Sequence, residues 1–311
     1  MKQSNAWRSF SSFYDKYGIL IVFIILMCVF STMSPVFLKS TNLLNVLRQI
    51  SITGILAIGM TFVIITGGVD LSVGSIIAIV TVIVADNQEY GVFVSLLLGL
   101  ATGVVMGLLN GIGIAYGKIQ PFIMTLGTMS IGSGLAFIYS KGLPISVTKN
   151  SFLEIGNGFI GSVPLPVVYF IVLLVGAGLL LKFTTFGRYI YSMGSNEEAT
   201  RLSGVDVKKY KMLVYVVSGV LAAIGGIIYT SQLGIGTALA GKGYELNAIA
   251  ATVVGGASLA GGSGTMWGTF IGAAIIGSLG NIMNLTGVNP FIQTFLTGVI
   301  IILAVLIKRG K

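Results

Sequence analysis

Long apolar runs, divided by short polar or glycine-rich breaks, fill most of the chain. Most approach the roughly 17–25 residues that cross ~30 Å of hydrocarbon as a helix. The pattern predicts about ten helical spans. They run from about Tyr17 to Met33, Ile50 to Thr66, a restart after Asp70 and Ser72, Val92 to Tyr116, and Pro121 to about Tyr139. The later ones are Val167–Leu181, Met212–Thr230, a segment starting near Tyr244, Trp267–Met283, and a last span ending before Lys308. Ser34-Pro35 stops the first, because proline cannot continue a helix. Lys39–Arg48 reads as an amphipathic connection, Lys141–Pro166 as a longer polar one with three prolines, and Ser231–Gly243 as a glycine-rich one. The expected fold is all-α: one polytopic helical membrane domain over residues 1–311.

Composition supports lipid as the solvent. Only 9% of residues are charged and 55% are hydrophobic, whereas a soluble domain carries about a quarter charged residues. The net charge of +9 does not read as a nucleic-acid surface, since the basic residues sit in short connections without interleaved aromatics. They read instead as topology signals, because Lys and Arg collect in short cytoplasmic loops. With the N-terminus inside, Lys2, Arg8, Lys16, Lys118, Lys182, Arg188, Arg201, Lys208, Lys209, Lys211, Lys308, Arg309 and Lys311 fall on that side. Lys39, Arg48, Lys141, Lys149 and Lys242 fall on the other. Thirteen against five predicts cytoplasmic termini. The single cysteine, Cys28, lies in the first apolar run and allows no internal disulfide. No small-residue cleavage site follows that run, so a retained helix is expected.

One stretch stands apart. Arg188–Lys211 gathers Arg188, Glu197, Glu198, Arg201, Asp206, Lys208, Lys209 and Lys211 between two apolar spans, and is expected to lie in water. The side assignment makes residues 183–211 a cytoplasmic loop. Ser195 and Glu198 have capping-box spacing, the two glutamates suit the positive end of a helix dipole, and Gly204 can end the helix. A short helix over Asn196–Ser203 is predicted, with Asp206 capping the next span. The bland alternative is an inert charged loop.

Other patterns are weaker. Gly99, Gly103, Gly107 and Gly111 recur every four residues and leave one helical face open to close packing. GGVDLSVGS (Gly67–Ser75) and GGASLAGGS (Gly255–Ser263) share five residues in one register. This is either a chance match among 44 glycines or a pair of interrupted helices lining a moving part, with Gly67, Gly68, Asp70, Ser72, Gly255 and Gly256 as pathway or hinge candidates. Asp70 is read as a helix N-cap or as a functional intramembrane acid, and Glu245 carries the same ambiguity.

Chemistry has little to work with: there is no histidine, and the one adjacent acid pair is Glu197-Glu198. No catalytic residue, metal site or cofactor is expected. GTALAGKG (Gly236–Gly243) approaches a phosphate-binding loop, but glycine replaces its hydroxyl residue and the loop falls on the outer side, so it is rejected.

The strings Gly67–Ser75, GRYIYSMGSNEEATRLSGV (Gly187–Val205), GYELNAIAATVVGGASLAGGSGT (Gly243–Thr265) and the stretch Gly268–Leu306 resemble the sugar permeases of ABC importers of the ribose type. The resemblance covers most of the chain. It implies a multi-pass protein of a prokaryotic cytoplasmic membrane that pairs with a second copy, most simply as a homodimer. It implies a cytoplasmic ATPase docking on the inner loops and an extracytoplasmic sugar-binding protein delivering substrate. Matching residues make Ser195, Asn196, Glu197, Glu198, Ala199, Thr200, Arg201, Leu202, Ser203 and Gly204 the ATPase-coupling segment, and Gly67–Ser75 a signature turn near the pathway. Ribose is the implied sugar; permeases for galactose, xylose, arabinose and autoinducer-type sugars share these strings. The competing classes are an ion-coupled secondary carrier, for which only Asp70 is well placed, and a membrane-embedded enzyme, which lacks residues for chemistry.

Overall fold

The computed structural model describes residues 5–309. Lys2 and Lys311 of the sidedness argument lie outside the described residues, as do the side chains of Arg8, Lys16, Lys308 and Arg309. The described chain folds into helices α1 Asn5–Met33, α2 Ser40–Ile65, α3 Val73–Asp86, α4 Val92–Ala115, α5 Pro121–Ser140, α6 Asn150–Asn157 and α7 Leu165–Phe183. These are followed by α8 Thr185–Ser195, α9 Glu197–Leu202, α10 Val207–Leu233, α11 Tyr244–Val254, α12 Met266–Leu285 and α13 Pro290–Arg309. Among the described residues, α2, α4, α5, α7, α10 and α12 are long and apolar enough to cross a membrane. At 14 and 11 residues, α3 and α11 rise only about 21 Å and 16 Å, too little to span alone.

α2 is the axis. It is apolar on every side and buried from Ile50 to Ile65, with α7, α10, α11 and α12 packed around it, as a helix without a polar face requires. α4, α5 and α7 instead expose Leu97, Val105, Ile123, Ile131, Val172 and Val175, a surface suited to lipid. Lys39–Arg48 does not form the expected separate connection: from Ser40 on it is the start of α2, since no proline or glycine interrupts the chain before Gly54.

The four-residue glycine repeat is the seam between α4 and its neighbours. A Cβ on Gly103 would collide with the Gly219 carbonyl, one on Gly107 would lie 2.6 Å from the Tyr215 carbonyl, and one on Gly111 would lie 2.7 Å from that of Met212. Gly99 meets Val84 of α3 and Ile227 of α10. Only hydrogen on that face lets the two backbones approach so closely.

The connection after α10 folds back into the protein. Ile235–Gly236 pairs antiparallel with Ile145–Ser146, and the chain then descends along α3. Thr81 Oγ1 donates to the Thr237 carbonyl (3.0 Å) and accepts from its N–H (3.2 Å), and Gly241 packs on the Gly74 carbonyl. This is not an open phosphate cradle, because the backbone of α3 occupies its inner side. Irregular backbone at such depth is tolerated because it is buried in protein.

Candidate functional site

The charged stretch is built largely of helix, with most of its charged side chains exposed. α8 forms first: Thr184 caps it by accepting from the Gly187 N–H (3.2 Å), and Ile190 and Met193 are buried on its inner face. The second helix begins one residue later than expected. Asn196, in an extended conformation, accepts from the Ala199 N–H (2.9 Å) and is the cap. Ser195 closes α8 and donates back to the Tyr191 carbonyl (3.0 Å), while both Glu198 carboxylate oxygens accept from Arg201 (3.0 and 2.6 Å). The Ser195–Glu198 capping box is therefore absent, because each side chain finds a partner within its own helix. α9 spans Glu197–Leu202, and Gly204, at φ +84°, turns the chain out of it. Asp206 then caps α10 by accepting from the Lys209 N–H (3.1 Å).

α9 is held from below and bare above. The Thr200 hydroxyl, buried, meets that of Ser192 at 2.7 Å, and Lys211 pairs with Glu197 at 2.5 Å. Glu197, Glu198, Arg201 and Leu202 face outward, Leu202 being 74% exposed. Hydrogen bonds from Arg201 hold the Glu198 carboxyl below the usual carboxylate range. The result is a small charged platform with one apolar knob.

Behind it, α8 touches the end of α2, just before the first glycine motif, and the second motif itself. The Gly262 N–H donates to the Ile65 carbonyl at 2.9 Å, joining the loop after α11 to the end of α2. Gly194 fits against this same pair: a Cβ there would overlap the Ile65 carbonyl and lie 2.5 Å from the Gly262 nitrogen. The Tyr191 hydroxyl donates to the Gly264 carbonyl at 2.6 Å. Gly67–Ser75 and Gly255–Ser263 thus converge, but they are not conformational copies. Gly67 has φ +77° where Gly255 is helical, and Val73 opens a helix where Gly261 and Gly262 turn at +89° and +72°.

Asp70 lies just beyond, fully buried. It does not cap α3 by bonding to the helix's amides. Its Oδ1 accepts from the N–H (3.0 Å) and hydroxyl (2.6 Å) of Ser72, and Oδ2 accepts from Ser218 of α10 (2.7 Å). Asn110 of α4 donates to the Ser72 hydroxyl (2.8 Å) and accepts from Thr128 of α5 (2.6 Å). One polar chain therefore ties the turn to three helices. Neither Ser72 nor Asp70 makes a side-chain cap, and Ser72 at the cap position is already helical. Among the described residues, no cluster of His, Cys, Asp or Glu could hold a metal ion.

A family model described as the permease component of a branched-chain amino acid transport system matches residues 42–305. The chain belongs to this permease family. Among curated relatives, this permease is 43% identical to the "Ribose import permease protein RbsC" of Bacillus subtilis, over 97% of its own length and 95% of the relative's. It is 43% identical to the protein of the same name from Escherichia coli K12, over 94% and 93%. It is 40% identical to the "L-arabinose transport system permease protein AraH" of E. coli K12, over 97% and 93%. No solved structure matches it. The permease is a multi-pass inner-membrane protein.

Both glycine motifs and Asn196–Gly204 are legible in the sequence; the fold brings the two motifs together and joins α9 to them through α8. Sequence reasoning passes over Gly194, Tyr191, Ser218, Asn110 and Thr128. Asn110 and Ser218 carry a readable signal, since each is a polar residue in an otherwise apolar part of a span.

Proposed function

We propose that this permease is the membrane-spanning subunit of an ATP-driven monosaccharide importer, with ribose as its sugar. The observation that carries the reading is 43% identity, over nearly the whole of both chains, to a ribose import permease. Relatives named for L-arabinose and D-allose, at 40% and 32%, support a monosaccharide and make ribose the finer choice among them. In this reading the chain crosses ten times and both termini are cytoplasmic, α3 and α11 each completing a crossing together with the irregular segments 66–72 and 234–243 that precede them. A separate ATPase subunit binds and hydrolyses ATP, and an extracytoplasmic binding protein delivers the sugar. A second copy of the chain completes the pathway, in contact with membrane lipid.

The platform of α9 is the ATPase dock. Its exposed Glu198, Arg201 and Leu202 suit a polar rim around an apolar anchor, the composition that protein interfaces favour. Force on α9 passes to α8 through Thr200 and Ser192, and from α8 to the ends of α2 and α11 through Gly194. Gly67, Gly68, Gly255 and Gly256 then serve as the hinge. Asp70 and Ser72 hold the turn rather than carry protons, because their hydrogen-bonding groups are already committed to Ser218 and Asn110. The dock is tested with Leu202→Cys, paired with cysteines placed on the ATPase. Crosslinking that changes with bound nucleotide supports it, and none anywhere along Glu197–Leu202 refutes it.

A further inference from the structure

A cavity of about 370 Å³ lies between α2, α11, α12 and α13, away from both the Gly194 contact and the Asp70 network. Its volume falls within the roughly 300–1,000 Å³ of small-molecule sites. Thr53 on its wall is about 18 Å along α2 from Ile65. The lining is unusual for a bundle in lipid: Thr53, Lys242, Asn247, Asn284, Gln293 and Thr297 all reach it.

Several of these side chains have unspent hydrogen-bonding capacity. Among the described residues, the Thr53 hydroxyl and the Asn247 carboxamide make no hydrogen bond, though Thr53 is only 7% exposed. Gln293 gives its amide hydrogens to Asn284 Oδ1 (2.8 Å) and the Val288 carbonyl (3.0 Å). That leaves its own carbonyl oxygen and the Asn284 amide hydrogens open. Thr53 is buried, Asn247 and Gln293 are half-buried, and Asn284 and Lys242 are exposed, so the lining presents open donors and acceptors that a ligand entering from solvent can engage. Free carboxamides and a hydroxyl both donate and accept, and Lys242 is the one charged residue among the lining residues. That chemistry matches a neutral polyhydroxylated ligand, in which each hydroxyl also donates and accepts, better than an anion, a cation or an acyl chain.

We propose, resting on the importer reading above, that this cavity is a sugar-holding site on the permease itself, so that the permease as well as the binding protein contacts the substrate. The test uses the permease reconstituted in proteoliposomes with its ATPase and binding protein. Wild-type uptake of labelled ribose is read first; its absence overturns the importer reading, independently of the cavity. Asn247→Leu and Thr53→Val are expected to lower uptake by about tenfold, the scale of one lost hydrogen bond, while hydrolysis stimulated by sugar-loaded binding protein stays within about twofold. Asn247→Gln is expected to recover most of the uptake. In a Cys28→Ser background, Asn247→Cys is expected to be shielded from a soluble thiol reagent by saturating ribose in the assembled complex. Unchanged uptake in both variants, or equal thiol reactivity with and without ribose, overturns the site.

Discussion

Ser218 donates its hydroxyl to Asp70 Oδ2 over 2.7 Å, so the turn after α2 is fastened to the helix that continues directly from the charged platform. Asp70→Leu leaves the Ser72 N–H, the Ser72 hydroxyl and the Ser218 hydroxyl without their acceptor, and is expected to destabilise the fold by about 3 kcal/mol or more. Asp70→Asn keeps an acceptor for Ser72 and can donate to Ser218, so folded protein and uptake should persist. Thermal unfolding in detergent together with vesicle uptake checks both. Loss of uptake in well-folded Asp70→Asn would mean that the acid itself is needed, as in a proton-coupled carrier.

The helix seam predicts a contrast between two leucine substitutions. Gly103→Leu must push into the Gly219 carbonyl and the Ala223 side chain, whereas a Cβ on Gly134 of α5 meets nothing within 4 Å. Monodisperse yield after detergent extraction should collapse for the first and hold for the second. Equal yields would place the α4 glycines against lipid.

Gly194 gives a separable phenotype. Its Cβ has no room between Ile65 and Gly262, yet it lies behind the outward face of α9. Gly194→Val should therefore leave ATPase binding intact and reduce uptake per ATP hydrolysed by tenfold or more, on the order of 1.4 kcal/mol of coupling. Hydrolysis and uptake measured in the same vesicles decide this, and a normal ratio would remove Gly194 from the route.

Glu198→Lys places a cation beside Arg201 on an exposed surface, so membrane insertion should be normal while co-purification of the ATPase falls several-fold. The pH dependence is equally specific. Because Arg201 lowers the Glu198 pKa, the pair's contribution is present above the unfolded carboxylate pKa and is lost only as pH falls through the lower folded value. Docking should thus be flat between about pH 6 and 8 with respect to this pair. A fall in docking across that window that Glu198→Gln abolishes would contradict it.

Much of this arrangement is legible in the sequence for simple reasons. Pro35, Pro121 and Pro290 mark helix boundaries because proline restricts the backbone locally, and charge concentration exposes the platform because lipid excludes it. The missed features depend on contacts between distant segments. Nothing around Gly194 announces that Ile65 and Gly262 will close on it, and the polar lining at Thr53 and Asn247 is assembled from helices far apart in the chain. The capping box failed for a local reason: Ser195 could end one helix as readily as begin the next, and only the preceding α8, unforeseen in the charge pattern, decides between them.

The central claim is that ATP hydrolysis by a separate subunit drives sugar through this permease. Labelled ribose uptake into proteoliposomes tests it most directly, with the permease alone, with its ATPase and binding protein, and with an ionophore added at constant ATP. Uptake is predicted only with all three components and ATP present, and should be indifferent to the ionophore. Uptake by the permease alone, or collapse under the ionophore while ATP is held constant, would contradict the account.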